Sequence, residues 1–307
     1  MAEKTCFEGR RQMKTETLKG YLFVITSAVI YGCMPLMAKF IYAEGVNPLS
    51  LVLLRNLLSL PVLAILAFVG QGSLKIPVRA LPTVSLAALM GCSVTPMLLF
   101  YSYQYISSGT ATVFHFIYPA VVVLFGMFTV KGKRSLGNAL SLVLCVLGIV
   151  LFYEAGSGFH PLGGALALLS GLAYAIYVLV LSAFRYKDRV TGFTFCFYVS
   201  VVCSAVMLVA CLVSGQLAFP TSLVGWGLCL LFALTLNVGA VFLFQKGTFL
   251  IGGDRASVLS TLEPVTSVLV GMAVFHEAVS IRTAIGVVLV LSASLMIALM
   301  DAGRKQK

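Results

Sequence analysis

The sequence predicts an all-α integral membrane protein whose ten transmembrane helices form two inverted five-helix repeats, with both termini in the cytoplasm. Three observations lead to this prediction. The 307-residue chain is 60% hydrophobic with a mean hydropathy of +1.04, whereas soluble domains are roughly half apolar. Long apolar runs alternate with short polar breaks, and most basic residues fall on one side of those runs. The two halves of the chain also share a weak internal repeat.

Ten apolar runs are each long enough to cross a hydrocarbon core of about 30 Å, which takes about 20 helical residues. They lack the alternating pattern expected of transmembrane strands. We number these predicted spans 1 to 10 in chain order: residues 18–39, 48–69, 81–104, 110–130, 135–153, 162–183, 192–213, 224–247, 255–275 and 281–300.

The distribution of Lys and Arg predicts the orientation, because short loops rich in these residues stay in the cytoplasm. With the N-terminus inside, all but three of the 21 Lys and Arg residues fall on the cytoplasmic side; Lys39 and Arg282 fall outside, and Arg55 lies within span 2. The net charge of +11 therefore reflects topology. Because the basic residues are dispersed, we expect no nucleic-acid partner.

Residues 1–17 form a polar tail before span 1, and no clear cleavage site follows it, so we expect span 1 to be retained. The eight cysteines contain no C-x-x-C pair. We interpret them as small apolar packing residues, with a disulfide or a metal site as the alternative. We predict neither a metal site nor a cofactor.

An internal repeat relates the two halves. Shifted by 145 positions, ATVFHFIYPAVVVLFGM from Ala111 agrees with ASVLSTLEPVTSVLVGM from Ala256 in seven of seventeen columns. Because each half holds five helices, the second half enters the membrane from the opposite side, as in many secondary transporters. We therefore predict a first repeat over residues 18–155 and a second over 162–301.

The stretch GGDRASVLSTLEPVTSVLVGMAVFHEAVS, residues 252–280, and its weaker copy SSGTATVFHFIYPAVVVLFGM resemble the drug/metabolite transporter superfamily, and within it the EamA-type ten-helix carriers. The resemblance covers residues 18–300. It implies export or exchange of small metabolites without an ATP-hydrolysing domain. Where the family often has a glutamate after its fourth helix, this chain reads VKGKRSL, so no role of that acid is carried over.

Glu263 is the first candidate for a functional residue, because a carboxylate inside the bilayer needs a cavity or a partner. Pro264 removes a backbone hydrogen bond one turn earlier and predicts a kink. Ser260 and Ser267 share a helical face with Glu263. The carboxylate either lines a substrate cavity, carries a coupling proton, or only holds span 9 to a neighbour.

Arg55 is the second candidate and is similar to an arginine in the family's second helix. It is a counter-charge either to an anionic substrate or to Glu277, and a structural ion pair with Glu277 is the simpler account.

The remaining candidates are aromatic or amide side chains. Two tyrosines and Gln104 share one face at the end of span 3, where they form either a cavity wall or an interfacial belt. In span 4, His115 precedes Tyr118 and the predicted kink at Pro119, and is either an interhelical hydrogen-bonder or a titrating group. Matched tyrosines of spans 1 and 6 complete the predicted cavity. The four candidate tyrosines outside span 4 are Tyr101, Tyr105, Tyr31 and Tyr174.

We expect a secondary transporter of small organic, amino-acid-like metabolites in a bacterial inner (plasma) membrane, working by alternating access with proton coupling left open. The alternative is a lipid-carrier flippase. An enzyme is not expected: HEAVS lacks the second zinc ligand of H-E-x-x-H, and no phosphate-binding or hydrolase motif occurs. The predicted partners are a small-molecule substrate and the lipid bilayer, and a homodimer is left open.

The small residues Gly163, Ala167, Gly171 and Ala175 predict close helix packing by span 6.

Overall fold

The structure is a computed structural model, and every regular element in its described part is a helix. The described residues are 2–71, 74–106, 111, 114–129, 136–151 and 160–275, together with short stretches between 281 and 296.

Six described segments are long and apolar enough to cross a membrane. They correspond to predicted spans 1, 2, 3, 6, 7 and 8 and cover Thr15–Ala43, Pro48–Gly70, Val78–Ser102, Pro161–Ser182, Gly192–Ser214 and Leu223–Ile251. Span 1 consists of two helices, Ala2–Gly32 and Met34–Ala43, which meet at Cys33. Spans 2, 6 and 7 are single helices, Pro48–Gln71, Pro161–Ser182 and Gly192–Ser214.

The other four predicted spans contain shorter described helices. Span 4 contains Tyr118–Thr129, span 5 contains Leu136–Leu151, and span 9 contains Gly253–Leu259 and Leu262–Phe275. In span 10, helical residues are described in short stretches between 281 and 296.

Two spans contain π-helical segments at corresponding positions in the two halves. Span 3 begins with a short 3₁₀ turn at Val78–Ala80, continues as Leu81–Ala87, widens to a π-helix at Ala88–Val94 and ends as Thr95–Ser102. Span 8 runs as Leu223–Ala233, a π-helix at Leu234–Val241 and Phe242–Ile251. Such segments are rare and frequently occur at functional sites.

Spans 4 and 9 are both interrupted just before a proline. Turns at residues 116–117 precede Tyr118 and Pro119, and turns at residues 260–261 precede the helix that begins Leu262, Glu263, Pro264. A proline has no N–H to donate to the carbonyl four residues earlier, so the chain breaks its helical hydrogen-bond ladder there. The two interruptions are about 145 residues apart, the offset of the internal repeat.

The first helix of each half packs against helices of the other half, an arrangement that we call the exchange of first helices. Span 1 packs against spans 8 and 9, whereas span 6 packs against spans 3 and 4. Spans 2 and 7 pack against each other. Small residues bring span 1 close to span 8: a Cβ added at Gly247 would lie 2.5 Å from Val24 Cγ2. Ser27 Oγ also donates to the Ala240 carbonyl at 2.8 Å.

Local signals fix several helix ends. Thr191 and Ser222 cap spans 7 and 8, accepting hydrogen bonds from the backbone N–H groups of Thr194 at 3.2 Å and Gly225 at 3.0 Å. Gly252 separates spans 8 and 9 with φ +86°, a backbone conformation that residues other than glycine rarely adopt.

Candidate functional site

The interrupted spans 4 and 9 meet at a hydrogen bond between Tyr118 and Ser260, both of which are buried. Ser260 Oγ donates its own proton to the Ser257 carbonyl at 2.8 Å. A serine hydroxyl has one proton, so Ser260 accepts here and the Tyr118 hydroxyl donates. The bond therefore joins the two halves of the chain at the breaks in their helices.

Tyr174 of span 6 brings together an aromatic group around this bond. Its ring centroid lies 4.7 Å from that of Tyr118, 5.5 Å from His115 and 5.3 Å from Tyr177. The Tyr118–Tyr174 pair is edge-to-face at 79°, an arrangement that the ring quadrupoles favour. Span 6 reaches this position because Gly171 lets its backbone approach the His115 carbonyl, which a Cβ would overlap.

His115 is buried and bonded to Ser170, with Nδ1 and Oγ 2.9 Å apart. Ser170 Oγ donates to the Ala167 carbonyl at 2.7 Å. Its proton is thus committed, and we assign the proton of the His115–Ser170 bond to Nδ1. This bond ties span 4 to span 6, which favours the interhelical reading of His115.

Glu263 is partly exposed beside buried Ser260, Thr261 and Pro264. The Thr261 hydroxyl donates to the Val258 carbonyl at 2.6 Å, and Ser260 donates to Ser257. Neither hydroxyl donates to the carboxylate.

Two other partly exposed groups, Tyr31 and Tyr174, lie within range of electrostatic interaction with Glu263. These three polar groups come from spans 1, 6 and 9. We call the group formed by Tyr31, His115, Tyr118, Tyr174, Ser260 and Glu263 the central cluster.

A second polar chain lies next to the central cluster and joins spans 6, 7 and 8. Gln245 donates through Nε2 to the Tyr177 hydroxyl at 3.1 Å and accepts from Cys196 Sγ at 2.7 Å. All three side chains are buried. Because each buried polar group finds a partner, this chain of contacts fixes the relative positions of three helices.

Arg55 is buried at 4% exposure in span 2. Its Nη2 donates to the Cys92 carbonyl at 3.4 Å, and Cys203 Sγ lies 3.1 Å from the same oxygen. Asn237 of span 8 donates to the Arg55 carbonyl at 3.1 Å and to Asn56 Oδ1 at 2.9 Å. The arginine therefore lies at a junction of spans 2, 3, 7 and 8.

A match to the EamA-like transporter family covers residues 18–154 and 161–299. The chain belongs to that family. As the sequence predicted, it is a member of the drug/metabolite transporter superfamily, and it is a multi-pass membrane protein of a family that transports small molecules.

Several relatives resemble this EamA-like transporter over nearly their full length. An uncharacterized transporter of Clostridium kluyveri is 20% identical over 91% of this chain and 92% of its own. An uncharacterized inner membrane transporter of Salmonella typhimurium, YicL, is 23% identical over 95% of this chain and 98% of its own. A protein crystal structure superimposes with a TM-score of 0.75 at 20% identity, over 92% of this chain and 98% of that one. That likeness concerns the fold.

Three of the predicted cavity residues lie outside the central cluster. Tyr101, Gln104 and Tyr105 lie at the end of span 3, away from the central cluster. Gln104 and Tyr105 are exposed, and the Tyr105 ring stacks on His160 with centroids 5.0 Å apart. Their assignment to the substrate cavity stays a prediction.

Tyr101 belongs to a set of contacts that we call the loop clasp. It joins the loop between spans 1 and 2, and the end of span 3, to the loop between spans 7 and 8. Tyr101 donates to Gln216 Oε1 at 2.6 Å, and Ser222 donates to Glu44 Oε2 at 2.6 Å. Asn47 Nδ2 donates to the Gln216 carbonyl at 2.5 Å. The clasp thus connects the two halves of the EamA-like transporter.

Two predicted residues lie outside the described side chains: Ser267, and Glu277 with the ion pair assigned to it. Three residues of the site were not predicted from the sequence: Ser170, Tyr177 and Gln245. Tyr177 lies three positions after Tyr174 and thus on the same helical face, a signal available in the sequence. The partners of Ser170 and Gln245 come from other spans and leave no local pattern.

Proposed function

We propose that this protein is a secondary transporter of a bacterial inner membrane, with ten transmembrane helices in two inverted repeats and both termini in the cytoplasm. It moves small organic metabolites, with amino-acid-like solutes first among them, by alternating access. The central cluster forms the substrate site, between the halves and near the bilayer midplane. The family and the named inner membrane relative support this proposal.

One observation carries the mechanism: spans 4 and 9 are interrupted at corresponding positions, and the two interruptions meet at the Tyr118–Ser260 bond. Discontinuous helices in corresponding positions of two repeats are typical of transporter substrate sites. They free backbone groups for a solute, which is tolerable within a membrane only where protein or a cavity surrounds them.

The loop clasp supplies a closed side for the alternating-access cycle. With the orientation expected from the basic residues, the loops around Glu44 and Gln216 are outside, so the clasp closes the external side. Opening that side requires the Ser222–Glu44 and Tyr101–Gln216 bonds to break. Both bonds are exposed or partly buried, so water can replace them at small cost.

Glu263 is the candidate for proton coupling. It is the acidic residue inside the predicted spans, and no described side chain donates a hydrogen bond to its carboxylate. A carboxylate that lines a solute cavity can bind either a proton or the cationic group of a solute. Because the two compete, solute uptake through Glu263 would release a proton, which is the basis of exchange.

The experiment is counterflow in proteoliposomes that contain the purified protein and a preloaded panel of amino acids and other small metabolites. We expect at least one solute to drive accumulation of its labelled form, and Tyr118→Phe to slow this exchange. Protein-free liposomes and the exposed variant Arg79→Gln serve as controls. Movement of labelled lipid without any solute exchange would refute the proposal in favour of the flippase.

A further inference from the structure

Two buried polar groups in the first half lack hydrogen-bond partners: Arg55 Nε and the Tyr42 hydroxyl. They come from spans 2 and 1, and Tyr42 lies within range of electrostatic interaction with Arg55. A buried donor without a partner is costly, and more so when it carries charge. Two unpartnered donors within electrostatic range of each other point to a missing acceptor.

Among the described residues, the guanidinium has a hydrogen-bond partner but no counter-charge. Its Nη2 donates to the Cys92 carbonyl at 3.4 Å. The π-helical segment Ala88–Val94 includes the same residue. A carbonyl orients the arginine but brings no negative charge. Within the described residues the ion pair is Lys19–Glu16, far from this site, so Arg55 has no acidic partner among them.

The position of Arg55 links these donors to the central cluster. Arg55 is seven residues into the helix that starts at Pro48, roughly 10 Å along its axis. It interacts electrostatically with Tyr42, near the end of span 1, and with Tyr31, which in turn interacts with Glu263. A solute held at Arg55 can therefore extend past Tyr31 towards Glu263.

We propose that Arg55 and Tyr42 bind the carboxylate of the transported solute, which makes organic carboxylates the substrate class; this inference rests on the proposed function. The Nε and Nη groups of arginine match the two oxygens of a carboxylate, and the Tyr42 hydroxyl adds a third donor. One arginine with Glu263 nearby suits a single negative charge, because a doubly charged phosphate would be repelled by the glutamate.

The test compares carboxylates with their own amides, which have the same shape but no charge. The probes are leucine with leucinamide and hexanoate with hexanamide, measured by counterflow in proteoliposomes and by ligand-induced thermal shift of the detergent-purified protein. We expect the wild type to prefer the carboxylates. Arg55→Gln should weaken their apparent affinity on the order of tenfold and leave the amides unchanged.

Tyr42→Phe gives a second readout that a purely structural role would not produce. Because the hydroxyl lacks a partner, its removal should leave the melting temperature of the ligand-free protein unchanged or raise it, while the carboxylate affinity falls several-fold. Tyr186→Phe, the same change in the segment between spans 6 and 7, and exposed Arg79→Gln are the matched controls.

Four results would overturn the inference. The first is a carboxylate preference that survives in Arg55→Gln, and the second is a wild type that exchanges solutes without any preference. The third is that Arg55→Gln and Glu277→Gln lower the ligand-free melting temperature equally, with no further loss in the double variant, because that result identifies a structural ion pair. Carboxylate-dependent thermal shifts without exchange would keep the binding site and refute the transport function. The fourth is the absence of both thermal shifts and solute exchange, which would overturn the binding site and the transport function together.

Discussion

Replacing Gly171 by alanine should separate spans 4 and 6 at the centre of the molecule. A Cβ at this position would lie 2.8 Å from Ile117 Cγ2 and 3.1 Å from the His115 carbonyl carbon, and closer still to the His115 oxygen. Ordinary contacts begin near 3.4 Å. The side chain of Ile117 can rotate, but a backbone carbonyl cannot. The helices must therefore move apart.

The expected cost follows from this geometry. Overpacking a tightly packed interior costs about 1–3 kcal/mol, and the backbone clash places Gly171→Ala in the upper part of that range. Against this, alanine gains up to about 1 kcal/mol of helix propensity over glycine. Gly227→Ala isolates that gain, because a Cβ added at Gly227 meets nothing within 4 Å. The two variants should therefore differ by roughly 2–3 kcal/mol.

Thermal unfolding in detergent measures this difference. The described part of the chain holds buried free cysteines at positions 92, 196, 203, 211 and 229, so a thiol-reactive dye reports unfolding. At a few degrees per kcal/mol, we expect Gly171→Ala to melt roughly 5 °C below Gly227→Ala. The same separation should slow transport, since it pulls Tyr174 away from Tyr118. Equal melting temperatures in the two variants would refute the close approach of spans 4 and 6.

Three further predictions concern the site and the topology. Tyr118→Phe and Ser260→Ala should each lower the free energy of unfolding, and a double-mutant cycle should give a coupling of about 1 kcal/mol; additive effects would mean that the bond does not form. Glu263→Gln should keep expression and melting temperature near those of the wild type, since the shape is retained, but should abolish transport driven by an imposed proton gradient, whereas Glu263→Leu should impair transport more. Unchanged gradient-driven transport in Glu263→Gln would remove proton coupling at this residue. Reporter fusions after Glu154 should read outside and those after Lys133 inside; an inside signal at Glu154 would break the inverted relation between the repeats.

The sequence predicted the long helices well where composition alone sets their length. The predicted bounds of spans 2, 6 and 7 differ from the observed helices by at most two residues, because each is a continuous apolar run between polar breaks. The close packing expected of Gly163 and Gly171 also occurs: a Cβ added at Gly163 would lie 2.7 Å from Tyr105 Cβ.

The partners of the site residues could not be predicted in the same way. A repeat comparison brings Tyr118 and Glu263 into the same column, but it does not reveal that Tyr118 bonds Ser260, three residues earlier on the other helix. The π-helical segments left no periodic signal either, because a uniformly apolar run has no polar face whose displacement around the helix could be detected. The unpartnered Tyr42 hydroxyl is visible only when every neighbour is known.

The exchange of first helices has a consequence for biogenesis. Ser27 of span 1 bonds a carbonyl 213 residues later in the chain, and Gly32 packs on Thr266. At a synthesis rate of about 5–20 residues per second, span 1 enters the membrane roughly 10–40 s before those partners leave the ribosome. During that interval its small-residue face must contact lipid or another protein. Maturation of the N-terminal half is thus delayed until the last helices arrive, and a ribosome that stalls after the first repeat leaves an inserted but unassembled product for quality control.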